Sequence, residues 1–161
     1  LARDRGLPVV ADPKEDLARF RGVDLAKPNE SEARRLAEVL GAGGAVDAAL
    51  LEKLRAAIGG GEVVVTRGGE GMLALDAAGR VFEVATERRS VFDVQGAGDT
   101  TVAALALARV ARASLYEACI VANAAAGVAV ATVGTAAVEA RELRNELPRA
   151  IAAAERDRGR T

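Results

Sequence analysis

The sequence contains no histidine and no tryptophan, and it has one cysteine among 161 residues. Without histidine, the chain cannot carry a His general base, a Ser-His-Asp triad or a zinc site built on imidazole. Proton transfer would therefore fall to a carboxylate, a lysine, a tyrosine or water. The lone Cys119 cannot form an internal disulfide, which fits a reducing cytoplasm, and we interpret it as a small core residue.

Aromatic side chains are also scarce, at 2% of residues, so Ala, Val and Leu must fill the core. The apolar share of 50% and the charged share of 28% predict a folded domain rather than disorder. The net charge of −1 argues against a nucleic-acid partner. The longest apolar run, residues 115–133, is interrupted by Glu117, Asn123 and Gly127, so we expect a buried helix and no membrane span.

The order of apolar runs predicts an α/β fold, a sheet covered by helices, in a single domain over residues 1–161. The predicted strands are residues 7–11, 25–27 and 62–66, followed by a hairpin of 72–76 and 80–86. The predicted helices are residues 29–40, 46–58, 99–111 and 114–131, and one or two polar helices over 139–157 with Pro148 in a first turn.

The segment DVQGAGDT, residues 93–100, is the strongest candidate for chemistry. Its glycines let the backbone turn with exposed N–H groups, and a helix start directly after them favours an anion. Asp99 would repel that anion unless it has another task, such as taking a proton from an attacking alcohol. The alternative is an ordinary loop followed by an Asp near a helix start.

This segment resembles the signature D-[TV]-x-G-A-G-D of the PfkB, or ribokinase-type, carbohydrate kinases, and TTVAALALA resembles the helix that follows it. The resemblance implies that Asp99 is the catalytic base. It implies that the amides of Gly96, Ala97 and Gly98 form an anion hole for the transferred phosphoryl group. Asp93 is assigned to a monovalent cation such as K⁺.

Asn29 and Glu32 resemble the N-x-x-E motif of the same family, which organises Mg²⁺ and phosphate through water. Both residues lie at a predicted helix start, one turn apart, so they can face one ion. The alternative is a plain helix cap, with Asn29 at the N-cap and Glu32 at the third helical position.

Three further segments resemble the family's nucleotide-binding elements. TRGGEG, with Thr66, Gly68 and Gly71, resembles the T-x-G-x-x-G loop, although alone it would be a hairpin turn. Asn123 lies in NAAAG, which resembles the late helix near the adenine, but its partner could equally be backbone. Lys14 in Asp-Pro-Lys could reach a phosphate, and the alternative is a solvated lysine.

The resemblance covers about residues 8–143 and is closest to the heptose 7-phosphate kinases of the family. It implies a partial ribokinase-like three-layer fold, an ATP and Mg²⁺ requirement, and a sugar or sugar-phosphate acceptor. We expect the chain to be the C-terminal nucleotide-binding part, without the N-terminal half and lid, so that half or a second copy would be its partner. The alternative is a non-catalytic nucleotide-binding piece or a subunit of a split kinase. An NAD-binding domain is disfavoured because no G-x-G-x-x-G follows the first strand.

Overall fold

A computed structural model of the chain describes residues 2–42, 44–87, 96–131 and 137–158, without the side chains of Arg3, Asp157 and Arg158. The strands are β1 (Val10–Ala11), β2 (Leu25–Ala26), β3 (Glu62–Thr66), β4 (Met72–Leu75) and β5 (Val81–Val84). The α-helices are α1 (Glu30–Val39), α2 (Ala48–Ala57), α3 (Ala97–Val110), α4 (Leu115–Val130) and α5 (Ala140–Arg158). Short 3-10 turns cover Arg3–Arg5, Leu17–Phe20 and Gly68–Glu70. The α/β prediction is confirmed.

The five strands form one mixed sheet in the order β1-β2-β3-β4-β5. Strand β2 pairs in parallel with both β1 and β3, whereas β4 runs antiparallel to β3. The β1–β2 register pairs Ala11 with Ala26. Because parallel strands end at the same edge of a sheet, this register places the residues that follow each strand side by side.

The chain divides into two compact units. The first unit comprises Leu1–Gly68 and Met72–Glu83, and the second comprises Gly69–Gly71 and Val84–Thr161. In the first unit, α1 and α2 pack against the sheet through leucines, alanines and valines. The three β-branched residues Val63, Val64 and Val65 suit a strand buried on both faces, and all are fully buried.

Local sequence explains where the helices of the first unit begin. The Asp47 side chain accepts a hydrogen bond from the Leu50 amide at 3.0 Å, which caps α2. Leu50, Leu51 and Leu54 then share the buried face of that helix. In the hairpin between β4 and β5, the Asp76 carboxylate accepts from the amides of Ala78 and Arg80 at 2.9 Å.

The second unit is built on three helices, with α4 packed on both α3 and α5. Small residues face inward: Ala118, Ala122 and Ala124 of α4 are buried, as is Cys119, consistent with its predicted core role. Because alanine side chains are short, the helices can approach one another closely, and the core is filled without aromatic side chains from these positions. Tyr116 of α4 is aromatic, and its hydroxyl donates to the carbonyl of Ala154 in α5 at 3.4 Å.

The prediction for Pro148 is wrong. A single helix, α5, covers Ala140–Arg158, and Pro148 lies inside it rather than in a first turn. Proline cannot donate the interior hydrogen bond and normally breaks a helix. Here helix formers on both sides, with Ala150, Ala153 and Ala154 buried, outweigh the loss of one backbone bond. Among the described residues, no helix has the length and hydropathy needed to span a membrane.

Candidate functional sites

The candidate site of the first unit lies where β1, β2 and β3 end. Asp12 follows β1, Lys27 follows β2, and Thr66 is the last residue of β3. Asn29 forms a single parallel bridge with Thr66, and the Thr66 amide donates to the Pro28 carbonyl at 3.2 Å. We call Asp12, Lys14, Lys27, Asn29 and Glu32 the strand-end cluster.

Two carboxylates of the strand-end cluster share one ammonium group. Lys14 Nζ donates to Asp12 Oδ2 at 2.7 Å and to Glu32 Oε1 at 3.0 Å. The hydrogen bond to Asp12 has the largest effect on the pKa of Lys14. Together with the bond to Glu32, it outweighs partial burial and raises the pKa of Lys14 above its ordinary value. Lys14 is therefore neither a freely solvated lysine nor isolated from the residues predicted to bind phosphate.

Lys27 is a functional candidate that the sequence reasoning missed. Its side chain is only 1% exposed, and its Nζ lies 3.2 Å from Asp12 Oδ1. That contact is an ion pair without hydrogen-bond alignment, so the buried Oδ1 atom has no hydrogen-bond partner among the described residues. The available signal was the parallel pairing of the two strands, which brings the residues after them together.

Asn29 and Glu32 form a reciprocal cap on α1. Asn29 Oδ1 accepts from the Glu32 amide at 2.9 Å, and Glu32 Oε2 accepts from the Asn29 amide at 2.7 Å. The alternative prediction, a helix cap formed by Asn29 and Glu32, is therefore confirmed. It leaves Glu32 Oε1 directed at Lys14, so capping does not use the whole carboxylate.

The donor set of the strand-end cluster fits a magnesium ion. Its candidate ligands are carboxylate and amide oxygens of Asp12, Glu32 and Asn29, and hard oxygen donors are what Mg²⁺ prefers. The unsatisfied, buried Asp12 Oδ1 is an acceptor that a hydrated cation could serve. Across the described residues, no three His, Cys, Asp or Glu side chains converge as a direct cage. Contacts through water, as the sequence motif implies, are consistent with that finding.

The candidate site of the second unit is the start of α3. Gly96 is the N-cap residue and adopts φ 78°, a left-handed conformation that glycine accepts without strain. The first intrahelical bond runs from the Thr100 amide to the Gly96 carbonyl at 2.9 Å. The amides of Ala97, Gly98 and Asp99 precede it and have no acceptor within the helix, which is the basis of an anion site.

Asp99 lies in the first turn of α3, beside those amides, and its side chain is exposed. Exposure leaves the carboxylate accessible to a substrate hydroxyl. Thr101, two residues further, donates through Oγ1 to the Ala97 carbonyl at 2.7 Å. That bond uses the Thr101 hydroxyl within the helix, and the role of Asp99 as a base stays a prediction.

Asn123 in α4 is buried, and its side-chain amide nitrogen lies 3.3 Å from the carbonyls of both Val84 and Ala85. The Asn123 side chain thus has backbone partners, as the alternative prediction expected. A contact with adenine stays a prediction. Gly71 packs on the same segment: an added Cβ would lie 2.1 Å from the Val84 carbonyl oxygen, and its φ is +85°. Only glycine fits there, which anchors one end of the T-x-G-x-x-G loop. Gly68, the third residue of this segment, is exposed with φ +55°.

One predicted residue, Asp93 with its proposed cation role, lies outside the described part of the chain. Within the first unit, the structure joins Lys14, Asn29, Glu32 and Thr66. Within the second unit, it places Gly96 to Asp99 at one helix start and Asn123 beside the Gly71 segment.

Comparison with known proteins identifies the class. The model of the pfkB family carbohydrate kinases matches residues 1–141, and the chain belongs to that family. It is 44% identical over 154 residues to the bifunctional protein HldE of Azorhizobium caulinodans, with 94% of this chain and 32% of that protein covered. It is 43% identical over 147 residues to the bifunctional protein HldE of Rhodospirillum rubrum, with 89% and 29% covered. The chain thus spans about a third of the length of these relatives.

Solved structures confirm a ribokinase-like fold. Ribokinase from Thermotoga maritima superposes with a TM-score of 0.79 at 26% identity, covering 88% of this chain and 49% of that one. Ribokinase from Arabidopsis thaliana, complexed with ribose and ATP, gives a TM-score of 0.75 at 25% identity, with 89% and 48% covered. The described α/β architecture is therefore part of a fold that in these proteins is about twice as long.

Proposed function

We propose that this chain supplies the nucleotide-binding and catalytic part of a kinase that transfers the γ-phosphoryl group of ATP to a hydroxyl of a sugar or sugar phosphate. The observation that carries the proposal is the start of α3. There Gly96 turns the backbone, three amides lack helical acceptors, and the exposed Asp99 stands in the same turn. Membership of the pfkB family supports it.

In this mechanism Asp99 accepts the proton of the acceptor hydroxyl as its oxygen attacks the γ-phosphorus. The bond from that phosphorus to the bridging oxygen breaks, and ADP leaves with the electron pair. The amides of Gly96, Ala97 and Gly98 donate to the phosphoryl oxygens, where fixed dipoles stabilise charge without reorganising. Asn29 and Glu32 would hold Mg²⁺ through water, and Mg²⁺ supplies charge neutralisation on the phosphates.

Thr66, Gly68 and Gly71 would carry the nucleotide loop, with Asn123 at the nucleotide's adenine end. Asp93 would take a monovalent cation such as K⁺. We propose heptose 7-phosphate as the acceptor because the Asp-Pro-Lys, KPNESE and DVQGAGDT segments resemble kinases of that substrate, and because relatives at 43–44% identity are HldE proteins. In this scheme the chain is one domain, completed by further residues or a second copy.

The decisive test is titration of the purified chain with Mg·ATP, using GTP and NAD as controls, followed by kinase assays on the full protein. Asp99→Asn should lower kcat by about 10²–10⁴-fold, the usual contribution of a general base, and leave ATP affinity within about twofold. Retained turnover would remove Asp99 from this role. Selective ATP binding without turnover on any sugar phosphate would favour the non-catalytic alternative.

A further inference from the structure

The strand-end cluster contains a lysine where the proposed function requires a metal ion. One oxygen of Asp12 and one of Glu32 converge on Lys14 Nζ, at 2.7 and 3.0 Å. Both carboxylates are largely buried, with side chains 14% and 6% exposed. Two largely buried negative charges this close repel each other, and a cation between them relieves that repulsion.

The two lysines of the cluster differ in their freedom to leave. Lys27 is 1% exposed and therefore fixed, whereas the Lys14 side chain is 58% exposed. Lys14 also follows Pro13 in a segment without regular structure, and its flexible side chain can reach new partners without movement of the sheet. Lys27 is thus a permanent counter-ion of Asp12, and Lys14 is an exchangeable one.

Charge balance makes the exchange productive. With both lysines in place, the two carboxylates are neutralised and the cluster offers no net charge to a phosphate chain. A divalent ion in the place of the Lys14 ammonium would make the cluster positive. The released ammonium would add a further positive charge next to it. Both changes favour a polyphosphate, which is strongly negative.

We propose that Lys14 is a resident cation that holds the Asp12–Glu32 pair when no nucleotide is bound, and that it moves to a phosphate group when the metal ion arrives. This inference rests on the proposed function for the identity of the metal site. It makes metal binding and phosphate binding by this cluster mutually dependent. Without a phosphate to receive it, the Lys14 ammonium competes with the metal for the same two oxygen atoms.

The test uses Mn²⁺ as the probe, in place of Mg²⁺, and follows free Mn²⁺ by electron paramagnetic resonance with no nucleotide present. Lys14→Met should bind Mn²⁺ about tenfold more tightly than the unaltered chain, which corresponds to about 1.4 kcal/mol. Lys14→Arg keeps the competing charge and should restore the weak affinity. Lys53→Met, at an exposed position in α2, should leave the affinity unchanged and controls for net charge.

Equal Mn²⁺ affinity in the unaltered chain and Lys14→Met, or no binding by either, would overturn the proposal. A second measurement, Mg·ATP titration, should show weaker ATP binding by Lys14→Met than by Lys53→Met. Unchanged ATP affinity would overturn the transfer of Lys14 to phosphate. If the unaltered chain binds no ATP, the proposed function fails, whereas the nucleotide-free Mn²⁺ experiment still decides whether Lys14 and the metal compete.

Discussion

The two candidate sites, one in each unit, are built from opposite kinds of chemical group. In the first unit, the strand-end cluster uses charged side chains, and each carboxylate already has a cation from the protein. In the second unit, the start of α3 uses backbone amides, and its residues from Gly96 to Gly98 contribute no side-chain charge. The first arrangement depends on side-chain identity, and the second depends on backbone conformation.

The difference shows which substitutions each part can tolerate. A side-chain site can lose one contact and keep its backbone, but the loss leaves an uncompensated buried charge. A backbone site is insensitive to most side chains, but it fails when a residue cannot adopt the required φ. Substitutions in the two units should therefore act through different physical effects: an uncompensated charge in the first unit and a strained φ in the second. Three experiments can distinguish these effects.

The largest effect is expected from Lys27→Met. Removing one partner of a buried ion pair is strongly destabilising when the other charge is left unpaired. Asp12 would lose Lys27 but keep Lys14, so we expect a smaller loss, of about 2–3 kcal/mol, in the free energy of unfolding. Urea denaturation followed by circular dichroism measures it. The double variant Lys27→Met/Asp12→Asn should recover most of the loss. A single variant as stable as the unaltered chain would show that the first unit does not depend on its buried charge pair.

A smaller effect is expected from Gly96→Ala. An alanine at φ 78° costs about 1–2 kcal/mol, and relief of that strain would turn the α3 amides away from their present directions. Gly41→Ala is the matched control, because its φ is also positive, at +66°, and an added Cβ would have no atom within 4 Å, but it lies in no segment assigned to the nucleotide. Thermal denaturation should show a similar cost in both variants, and only Gly96→Ala should weaken Mg·ATP binding. Equal ATP affinity would argue against an anion site formed by the backbone.

The smallest difference in stability is expected between two caps of the same kind. Asn29 and Ser114 each form a reciprocal capping box, with Glu32 and Glu117 respectively. Replacing either by alanine should cost about 1 kcal/mol of stability. Only Asn29→Ala should also weaken Mg·ATP binding, because no ligand is proposed at the start of α4, where Ser114 lies. Equal ATP affinity in both variants would reduce Asn29 to a helix cap.

Features set by neighbouring residues were predicted well from the sequence. The capping box at Asn29 and the one at Ser114 depend on side chains three residues apart, and both are present. The buried strand at residues 62–66 and the hairpin after it follow from β-branched runs and turn residues, and both are confirmed. The family signature in residues 93–100 led to the fold class that the comparisons confirm.

Features set by strand register were not predicted. Lys27 looked like the end of a short strand, and its partner Asp12 lies far from it in sequence. Their contact exists because Ala11 pairs with Ala26, which no local pattern specifies. The prediction for Pro148 was wrong for a related reason. The buried alanines of α5 stabilise the helix by tertiary packing, which helix propensities do not include.

The contact between Tyr116 and Ala154 has a spectroscopic consequence. With no tryptophan and a single tyrosine in the sequence, Tyr116 is the main intrinsic fluorophore of the chain. Its ring lies at the start of α4, and its hydroxyl is bonded to a carbonyl of α5. Tyrosine fluorescence therefore reports on the packing of α4 against α5. The first unit contains no tyrosine or tryptophan and contributes almost no fluorescence. A tryptophan introduced there would be read against an almost dark background.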